Sequence, residues 1–494
     1  MTTDWCSHFQ LPAWEHQLRE WEHRDDKARM LRWQMRTGKT KAMIDLACYL
    51  YKEGKIDGVI VAGPNNVHLN WARKEVPKHI WDGVKYRSLA WDTSKSRNVA
   101  WARWFDNFCK PTGSLDFFMV NFEAFNQKRF LNEFLKRFTD SHKRYMLIID
   151  ETHDVRGPKS ARSKELRRLR AKAVVRRGLS GTITDNSPLH AWSQYECLLE
   201  AALGYSSYQA FEDHFAQKEL QTLFVKGRRV QVMQIVGYQH LDELTEAMAK
   251  MTSVVLRSEC DDMPELLREE VRFELTPEQK RVYNALVQKA VARLDGGEVI
   301  PVKEGGALKN QLQQIASGWY VDEEGEVVEV VKDEDNPRIQ ALLSQLALTG
   351  PKTVVFCRYR EDIVRVMRAC KRANYLPVDY YGGTPKKQRA VNEDRFMNDP
   401  RFGPLIGQPL ACGQGLDFSI ADDIVWFSHL DGDLIKRKQA DERATQKGGG
   451  RVFITDLVAD GTGDDQLLLD LVEKDELSEE VSGAGLRRFL QLVH

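Results

Sequence analysis

Residues 33–40 read WQMRTGKT, and this stretch governs the interpretation of the whole chain. The triplet Gly38-Lys39-Thr40 follows an apolar run and precedes KAMIDLACYLYKEG, whose apolar residues recur at helical spacing. Such a turn suits phosphate, because Gly38 lets backbone N–H groups approach, Lys39 supplies a positive charge and Thr40 offers a hydroxyl to Mg²⁺. We expect the helix to end near Gly54 and to direct its N-terminus at a bound phosphate.

The loop departs from the strict phosphate-binding pattern. That pattern has a glycine five residues before Gly38, where this chain has Trp33, and Arg36 and Thr37 make the loop less rich in glycine. A three-residue string also occurs by chance in long chains. The rest of the sequence therefore has to decide between an ordinary turn and a loop whose residues 36–40 bind a nucleotide.

Composition narrows the class of protein. A chain of 494 residues exceeds one ordinary core, so we expect two lobes with insertions. Basic and acidic residues number 72 each, so binding to nucleic acid would have to use local patches. The eight cysteines lack metal-ligand spacing, which favours reduced thiols in a cytoplasmic protein without zinc or disulfides. No signal or membrane-spanning pattern is present, and we expect no membrane partner.

Strands and helices alternate after the loop. IDGVIVAGP (56–64), LDFFMVN (115–121) and YMLIID (145–150) read as buried strands, and NVHLNWARKEVPKH follows the first of them as a helix. Repeated strand-helix units indicate the α/β class, with a parallel sheet covered by helices.

A helix is also predicted upstream, in FQLPAWEHQLREW (9–21), with Trp14, Leu18 and Trp21 on one face. Its Gln17 is placed to hydrogen-bond an adenine edge next to the loop. The alternative is an amphipathic packing helix that carries Gln17 on its surface.

An acidic pair, Asp150-Glu151, ends the third strand and is followed by Thr152 and His153. In an open α/β sheet the carboxyl ends of the strands face the ligand crevice, so this pair is expected beside Lys39. There Asp150 would hold Mg²⁺ and Glu151 would orient and deprotonate an attacking water. A helix N-cap is the structural alternative.

A basic stretch covers residues 156–177, where Glu165 is the only acid. It reads either as a solvated helix face or as a contact to the nucleic-acid backbone, with Lys159 and Arg162 as candidates. The strand end GLSGTITD follows it.

The second half of the chain changes character twice. Residues 201–345 are richer in long helical stretches and contain a candidate acidic hairpin, YVDEEGEVVEVV, that turns at Gly325. Strand-helix alternation returns in residues 346–494 without a second phosphate loop. We predict an N-terminal lobe (1–200), a helical interlobe region (201–345) and a C-terminal lobe (346–494).

The order of motifs resembles the two-lobed motor ATPases of helicase superfamily two, and within it the Swi/Snf-type DNA-dependent ATPases and translocases. The matching segments, in order, are Gln17, MRTGKT, VAGPNNVHLNW, DETH, LSGT, VVFCR, ACGQGLDF (411–418) and QADERATQ (439–446). FEDHF, IVGYQHLDEL, VVLRSECDDMPE and FELTPEQKRVYNAL resemble the segment that Swi/Snf-type proteins carry between their lobes. The resemblance runs from about residue 10 to about residue 475, and no accessory domain is expected.

The resemblance implies two RecA-like lobes that open and close around ATP·Mg²⁺ while the protein translocates on duplex DNA without sequence specificity. The implied catalytic residues are Lys39, Asp150, Glu151 and Arg443, and the implied metal ligands are Thr40 and Asp150. The implied nucleotide contacts are Gln17, Arg36, Thr37, Gly38, Lys39, Thr40, Gly415, Asp417 and Gln439. The implied DNA contacts are Asn65, Asn70, Lys159, Arg162, Arg358, Lys386 and Lys387. The implied coupling residues are Ser180, Gly181, Thr182 and Gln414.

Several positions depart from the family pattern. The sixth motif of the family has two arginines three residues apart, whereas this chain has Arg443 and then Gln446. Arg443 suffices alone, Lys447 or Arg451 substitutes, or hydrolysis is slow. Asp417 stands where the fifth motif usually has asparagine, and Arg36 where the first usually has glycine.

Three other functions stay open at this stage. Superfamily motifs do not separate a translocase from a strand-separating DNA or RNA helicase. The missing second arginine favours an ATP-switched regulator of a partner such as a polymerase. A catalytically dead DNA-binding module is disfavoured by Lys39, Asp150 and Glu151. A compact monomeric motor fits a bacterial or bacteriophage source, with a partner from the replication, recombination or transcription machinery.

Overall fold

The computed structural model describes residues 5–469, with gaps at 66, 96, 182–186, 226–227, 261–264, 296–301, 413–417, 419, 431–433 and 443–449. The described residues form two compact units, one from 5–219 and 235–260 and the other from 220–234 and 261–469. Among these residues, no helix combines the length and the apolar character needed to cross a membrane. The three-domain boundaries drawn from the sequence stay a prediction.

The sheet strands of the first unit are β1 (Ala28–Trp33), β2 (Gly58–Gly63), β3 (Tyr86–Ala90), β4 (Leu115–Asn121), β5 (Tyr145–Asp150), β6 (Val175–Ser180) and β9 (Thr252–Val255). Between β6 and β9 the chain forms a hairpin of β7 (Ala216–Val225) and β8 (Arg228–Tyr238), whose residues 220–234 belong to the second unit. In the described chain, all but the hairpin strands form one seven-stranded sheet in the order β3-β4-β2-β5-β6-β1-β9. Every pairing in this sheet is parallel.

The central strands are buried along their whole length. Every residue of β2, β4 and β5 is buried, because helices cover both faces of the sheet. One face packs against a core that contains Phe105, Phe118 and Phe134. The other face packs against a core that contains Ile44, Trp71 and Trp81. Continuous apolar runs such as VIVA and MLII are therefore the sequence signal of these strands.

Helices connect the strands of this sheet. They are α1 (Glu15–Trp21), α2 (Lys39–Lys52), α3 (Val67–Asn70), α4 (Val76–His79), α5 (Val99–Phe108), α6 (Lys136–Ser141), α7 (Ala161–Arg170), α8 (His190–Glu196), α9 (Tyr208–Phe215) and α10 (Leu241–Ala249). A π-helical turn, Trp71–Glu75, joins α3 to α4, and a second, Phe130–Leu135, leads into α6. Short 3₁₀ turns cover Trp5–His8, Thr93–Lys95, Phe122–Asn126, Thr152–Asp154 and Arg257–Glu259.

The second unit repeats the architecture. Its strands are β10 (Leu266–Phe273), β11 (Trp319–Val321), β12 (Val327–Glu329), β13 (Thr353–Phe356), β14 (Val378–Tyr380), β15 (Leu405–Gly407), β16 (Asp423–Trp426) and β17 (Val452–Ala459). Within the described residues, six of them form a parallel sheet in the order β10-β17-β16-β13-β15-β14. Its helices are α11 (Pro277–Asp295), α12 (Val302–Ala316), α13 (Pro337–Thr349), α14 (Arg360–Arg372), α15 (Lys386–Asn398), α16 (Pro409–Cys412) and α17 (Leu434–Asp441), with a 3₁₀ turn at Asp333–Asp335.

Two parallel sheets with covering helices confirm the predicted α/β class and the prediction of two parallel-sheet lobes. The predicted strands 115–121 and 145–150 are β4 and β5 with the same bounds. The predicted helix after the loop is α2, and Gly54 follows its end with φ 66°. The predicted acidic hairpin is the antiparallel pair β11–β12, with Gly325 at φ 87° between the strands.

The helix predicted over residues 9–21 is shorter in the structure, and a different face of it is buried. It is α1, which begins at Glu15, and Leu18 is exposed, so the predicted stripe of Trp14, Leu18 and Trp21 is wrong. Its buried face is instead mostly polar: His16, Gln17, Glu20 and Trp21. Polar residues are buried there because backbone carbonyls and a neighbouring arginine satisfy them; Glu20 accepts two hydrogen bonds from Arg29 at 3.0 Å.

A buried ion pair joins elements of the second unit. Arg338, the second residue of α13, is 1% exposed, and Asp464, after β17, is 2% exposed. The guanidinium donates to Asp464 Oδ2 and also to the carbonyl oxygen of Phe427, at 2.5 and 2.6 Å. The backbone N–H of Ala459 donates to the same carboxylate oxygen at 3.1 Å. Removing the arginine would leave a buried carboxylate without its counter-charge.

We therefore expect Arg338→Met to lower the free energy of unfolding by roughly 3–5 kcal/mol, measured by chemical denaturation. Arg338→Met combined with Asp464→Asn should cost less than the single change, because no uncompensated charge remains. The surface pair Arg401–Asp399 is the control, and Arg401→Met should leave the free energy of unfolding nearly unchanged, because solvent screens this pair. A double variant as unstable as the single variant would contradict this account.

Candidate active site

The loop between β1 and α2 lies at the carboxyl edge of the first sheet. Trp33, at the end of β1, is fully buried, and its Nε1 donates to Ser253 Oγ at 2.9 Å. Gly38, the last residue before α2, has φ 81°, a left-handed conformation that glycine adopts without strain. The first turn of α2 therefore starts at Lys39 and presents its backbone N–H groups towards the loop.

Two side chains of α1 bind the loop through its carbonyl oxygens. His16 Nε2 donates to the carbonyl oxygen of Thr37 at 2.7 Å, and Gln17 Nε2 donates to that of Gly38 at 3.0 Å. Gln17 Oε1 accepts from the backbone N–H of Trp14 at 3.0 Å. A Cβ atom added to Gly38 would lie 2.3 Å from Gln17 Nε2. A larger residue at position 38 would therefore displace the Gln17 amide from its hydrogen bond to the loop.

Four residues near Gly38 are held in different ways. Lys39 Nζ donates to the carbonyl oxygens of Trp33 and Gln34 at 2.5 and 3.1 Å. Thr37 is fully buried, and its Oγ1 donates to the carbonyl oxygen of Gln34 at 2.7 Å. Arg36 has φ 63°, a conformation that favours glycine, which is the residue usual in the Swi/Snf-type pattern. Thr40 is the second residue of α2 and is half-buried.

Asp150 lies at the end of β5 and is 7% exposed. The indole Nε1 of Trp71 donates to its Oδ2 at 2.7 Å, and the backbone N–H of Glu151 donates to its Oδ1 at 3.0 Å. Burial raises the pKa of the Asp150 carboxyl, and the charge of Glu151 raises it further, whereas Trp71 and the charge of Lys39 oppose the rise. An additional cation beside Asp150 would therefore stabilise its ionised form.

Glu151 follows in a left-handed conformation, with φ 54°. Its Oε2 is 3.3 Å from Nδ1 of the buried His153, and the same nitrogen is 3.3 Å from Ser180 Oγ at the end of β6. Burial acts to lower the pKa of His153, but the hydrogen bond and charge of Glu151 outweigh it, so the pKa is raised. His153 thus connects the predicted catalytic carboxylate to the predicted coupling residue Ser180.

A model of the SNF2-related domain family matches residues 13–317, more than half of the chain. The chain belongs to the SNF2-related family. The family assignment confirms the resemblance that the order of the motifs indicated.

Individual proteins from several organisms align with about two thirds of the chain. Mouse DNA annealing helicase and endonuclease ZRANB3 is 27% identical over 330 residues, covering 65% of this chain and 28% of that protein. The TATA-binding protein-associated factor mot1 of Aspergillus fumigatus is 24% identical over 374 residues, covering 65% and 19%. Protein p41 of Acyrthosiphon pisum secondary endosymbiont phage 1 is 24% identical over 317 residues, covering 62% and 64%. The aligned part of the chain thus spans about a fifth to two thirds of these relatives.

A solved structure also aligns along most of the SNF2-related chain. It is the SWI2/SNF2 ATPase core of Sulfolobus solfataricus in complex with dsDNA. The alignment has a TM-score of 0.41 and 19% identity, and it covers 97% of this chain and 94% of that chain.

The predicted DNA contacts of the first unit differ in how exposed their side chains are and in whether other residues of the protein bind them. Asn65 is exposed and accepts a hydrogen bond from Asn121 at 2.6 Å, and Asn70 donates to Glu75 at 3.3 Å. Lys159 is exposed. Arg162 is half-buried, donates to the carbonyl oxygen of Asp154 at 3.1 Å and lies over the ring of Phe122.

Much of the basic stretch 156–177 is used inside the protein. Arg177 is fully buried, donates to the carbonyl oxygen of Asp26 at 2.8 Å, and has its pKa lowered to about 10 by burial. Arg170 donates to Glu196 at 2.9 Å, and Arg176 donates to the carbonyl oxygen of Leu198 at 3.1 Å. The exposed cations of the stretch are Lys159, Lys164, Arg168 and Lys172. The basic surface is therefore smaller than the sequence suggests.

Four predicted site residues lie in described parts of the second unit: Arg358, Lys386, Lys387 and Gln439. Arg358 donates to Gln313 and Asn310, both at 2.6 Å, which holds it within its own unit. Lys386 begins α15, and Lys387 is exposed. Gln439 lies in α17 and is half-buried.

Some predicted site residues lie outside the part of the chain that the structure describes. Two residues of the site were not predicted. Thr182, Gln414, Gly415, Asp417 and Arg443 lie outside the described residues, whereas Gly181 follows β6 as predicted from LSGT. His16 and Trp71 were missed as site residues. The sequence signal for Trp71 was its place in the VAGPNNVHLNW motif, but only the fold brings its indole to Asp150.

The contact between Gly38 and Gln17 can be tested with a double-mutant cycle. Gly38→Ala should lower the free energy of unfolding by about 2 kcal/mol, since it adds left-handed strain to the close approach of Gln17. In a Gln17→Ala background the same change should cost only the strain, about 1 kcal/mol, measured by chemical denaturation. Gly54 is the matched control, because it also has a positive φ but no atom lies within 4 Å of an added Cβ. Equal costs of Gly38→Ala in both backgrounds would exclude the steric contact.

Proposed function

We propose that this SNF2-related chain is a DNA-dependent ATPase that translocates on duplex DNA. The observation that carries the proposal is the meeting of the loop 34–40 with Asp150 and Glu151 at one edge of the sheet. β5, β6 and β1 are neighbours in that sheet, so their carboxyl ends bring a cationic loop and two carboxylates together. This combination is suited to hydrolysis of a nucleoside triphosphate.

The residues at this edge fit a nucleotide with a divalent cation. Lys39 and the N–H groups at the start of α2 would bind phosphate oxygens, and Gln17, Arg36 and Thr37 would shape the loop around them. Thr40 and Asp150 would hold Mg²⁺, whose charge would offset that on the phosphates when it is bound. The raised pKa of Asp150 supports this fit, because a buried carboxylate beside another carboxylate lacks positive charge.

Glu151 is the proposed general base. Its carboxylate would orient a water molecule towards the terminal phosphate and take a proton from it as the bond from the water oxygen to phosphorus forms; the bond from that phosphorus to the bridging oxygen breaks, and ADP leaves. His153, within 3.3 Å of the same carboxylate, would hold it in position. Because His153 also lies 3.3 Å from Ser180 Oγ, we propose that a change at Glu151 is transmitted to the segment after β6, which includes Gly181 and Thr182.

Roles for the remaining predicted residues are proposed from the family motifs alone. Arg443 would contact the terminal phosphate, and Gly415, Asp417 and Gln439 would contact the nucleotide. Gln414 would couple the nucleotide to the DNA path. For DNA we propose backbone contacts by Asn65, Asn70 and the exposed lysines, with no reading of base sequence. Arg358 would have to leave its present partners to contribute.

The activity is tested by steady-state ATP hydrolysis without nucleic acid and with single-stranded DNA, duplex DNA or RNA. Duplex DNA should stimulate hydrolysis the most. Glu151→Gln should lower the stimulated rate by about 10²–10⁴-fold, because the amide cannot accept the proton from water, whereas nucleotide binding should persist. Stimulation by a protein partner alone would favour the ATP-switched regulator. Separation of strands in a fork-displacement assay would favour a helicase.

The exposed part of the basic stretch is tested through the salt dependence of DNA binding. Changing Lys159 and Lys164 to alanine should weaken binding and reduce the slope of log K against log[salt] by about 2, one for each lost phosphate contact. The matched control is Lys110 and Lys143 to alanine, which removes the same charge from exposed positions outside this stretch. An equal loss in both double variants would show only a general charge effect and contradict a DNA contact at this surface.

A further inference from the structure

Two histidines and a glutamate converge where the hairpin β7–β8 leaves the first unit. His214 is in the last turn of α9, and His240 and Glu243 are at the start of α10, on the other side of the hairpin. His214 Nε2 is 2.9 Å from Glu243 Oε2, and His240 Nδ1 is 3.5 Å from Glu243 Oε1. One nitrogen or oxygen of each residue lies within 4.8 Å of the others. His240 and Glu243 are exposed, so the group is open to solvent.

The backbone holds the two imidazoles together. His240 has φ 55° and ψ 32°, a left-handed conformation that is unfavourable for most non-glycine residues. Gln239 fixes the neighbouring chain, since its backbone N–H donates to the carbonyl oxygen of Phe215 at 2.9 Å and its Nε2 donates to that of His214 at 2.8 Å. The rings of His214 and His240 are consequently stacked, with centroids 4.5 Å apart and planes 20° apart.

These separations are close to those of a transition-metal site. Tetrahedral coordination with metal–ligand bonds near 2.0–2.2 Å separates the ligand atoms by about 3.3 Å. The two histidine–glutamate separations, 2.9 Å to Oε2 and 3.5 Å to Oε1, lie on either side of that value, and one ligand atom from each of the three residues lies within 4.8 Å of the others. Two imidazole nitrogens and one carboxylate oxygen are a ligand set that Zn²⁺ accepts, and they leave a fourth position for water.

We propose that His214, His240 and Glu243 bind one Zn²⁺ ion and thereby join the end of α9 to the start of α10. The ion closes the base of the hairpin, because its ligands lie on both chain segments that lead into β7 and out of β8. To bind the ion, the two imidazoles have to leave their stacked arrangement, so that a nitrogen lone pair of each ring and one carboxylate oxygen point at the same position. The ion replaces the present hydrogen bond between His214 and Glu243, and both imidazoles bind it in their neutral form.

The test is a calorimetric titration of the full chain, free of affinity-tag histidines, with Zn²⁺. One ion should bind per chain, and Co²⁺ should give the visible absorption of a nitrogen- and oxygen-ligated tetrahedral site. His240→Asn and Glu243→Gln should each weaken binding at least about tenfold. Asparagine is chosen because it tolerates the left-handed conformation, so the fold at the start of α10 is retained.

His23→Asn is the matched control. His23 also faces a carboxylate, Asp26 at 3.1 Å, but only a single imidazole is present in that pair. This variant should bind Zn²⁺ like the unaltered chain. Saturating Zn²⁺ should also raise Tm by about 3 °C and slow hydrogen exchange at the Gln239 amide, which lies at the hairpin base.

Zn²⁺ binding by the unaltered chain and the three variants decides whether the site exists. Loss of the single site in His240→Asn and Glu243→Gln, but not in His23→Asn, supports the proposal. Equal affinity in all four proteins, or no binding by the unaltered chain, overturns it. A third outcome concerns the hairpin alone. If the two variants lose the site but Zn²⁺ does not slow exchange of the Gln239 amide in the unaltered chain, the ion does not close the hairpin base.

Discussion

The turn from β1 into α2 depends on side chains that bind its carbonyl oxygens. His16, Gln17 and Lys39 donate to the carbonyl oxygens of Thr37, Gly38 and Trp33, within 2.5–3.0 Å. Because these side chains bind the carbonyl oxygens of the loop, the backbone N–H groups at the start of α2 are the groups that can bind an anion. The proposed phosphate site is therefore a property of the packed unit, since α1 comes to the loop only through the fold.

The acidic end of β5 shows the electrostatic cost of such a site. Burial and the charge of Glu151 both disfavour ionised Asp150, and one indole N–H, from Trp71, together with a backbone N–H compensates only in part. A group whose charged form is disfavoured in the folded protein lowers stability at neutral pH. Proteins commonly retain such groups where a ligand will supply the missing opposite charge. The parallel sheet supplies the rigidity that keeps the two carboxylates in place.

Positive charge in the sequence is not the same as positive surface. In residues 156–177 the arginines mainly donate to backbone carbonyls and buried carboxylates, whereas the lysines stay exposed. Arginine is suited to this role because its planar group donates several hydrogen bonds and stays charged when buried. Arg338 does the same in the second unit, where it joins Phe427 and Asp464. A chain with no net charge can thus still present a local cationic surface, but the sequence overestimates its extent.

The sequence by itself determined the α/β class, the loop, the buried strands β4 and β5, and the acidic hairpin β11–β12, because each follows from residues near one another in the chain. Apolar runs, glycine at turns and the order of motifs are local signals. Only the tertiary structure decided that the buried face of α1 is polar, that Trp71 meets Asp150, and that His214 meets His240. These contacts join residues 21 to 79 positions apart, and their partners are set by packing that no local pattern encodes. The hairpin β7–β8 was missed for a related reason: it lies in a region whose flanking helices dominate the pattern.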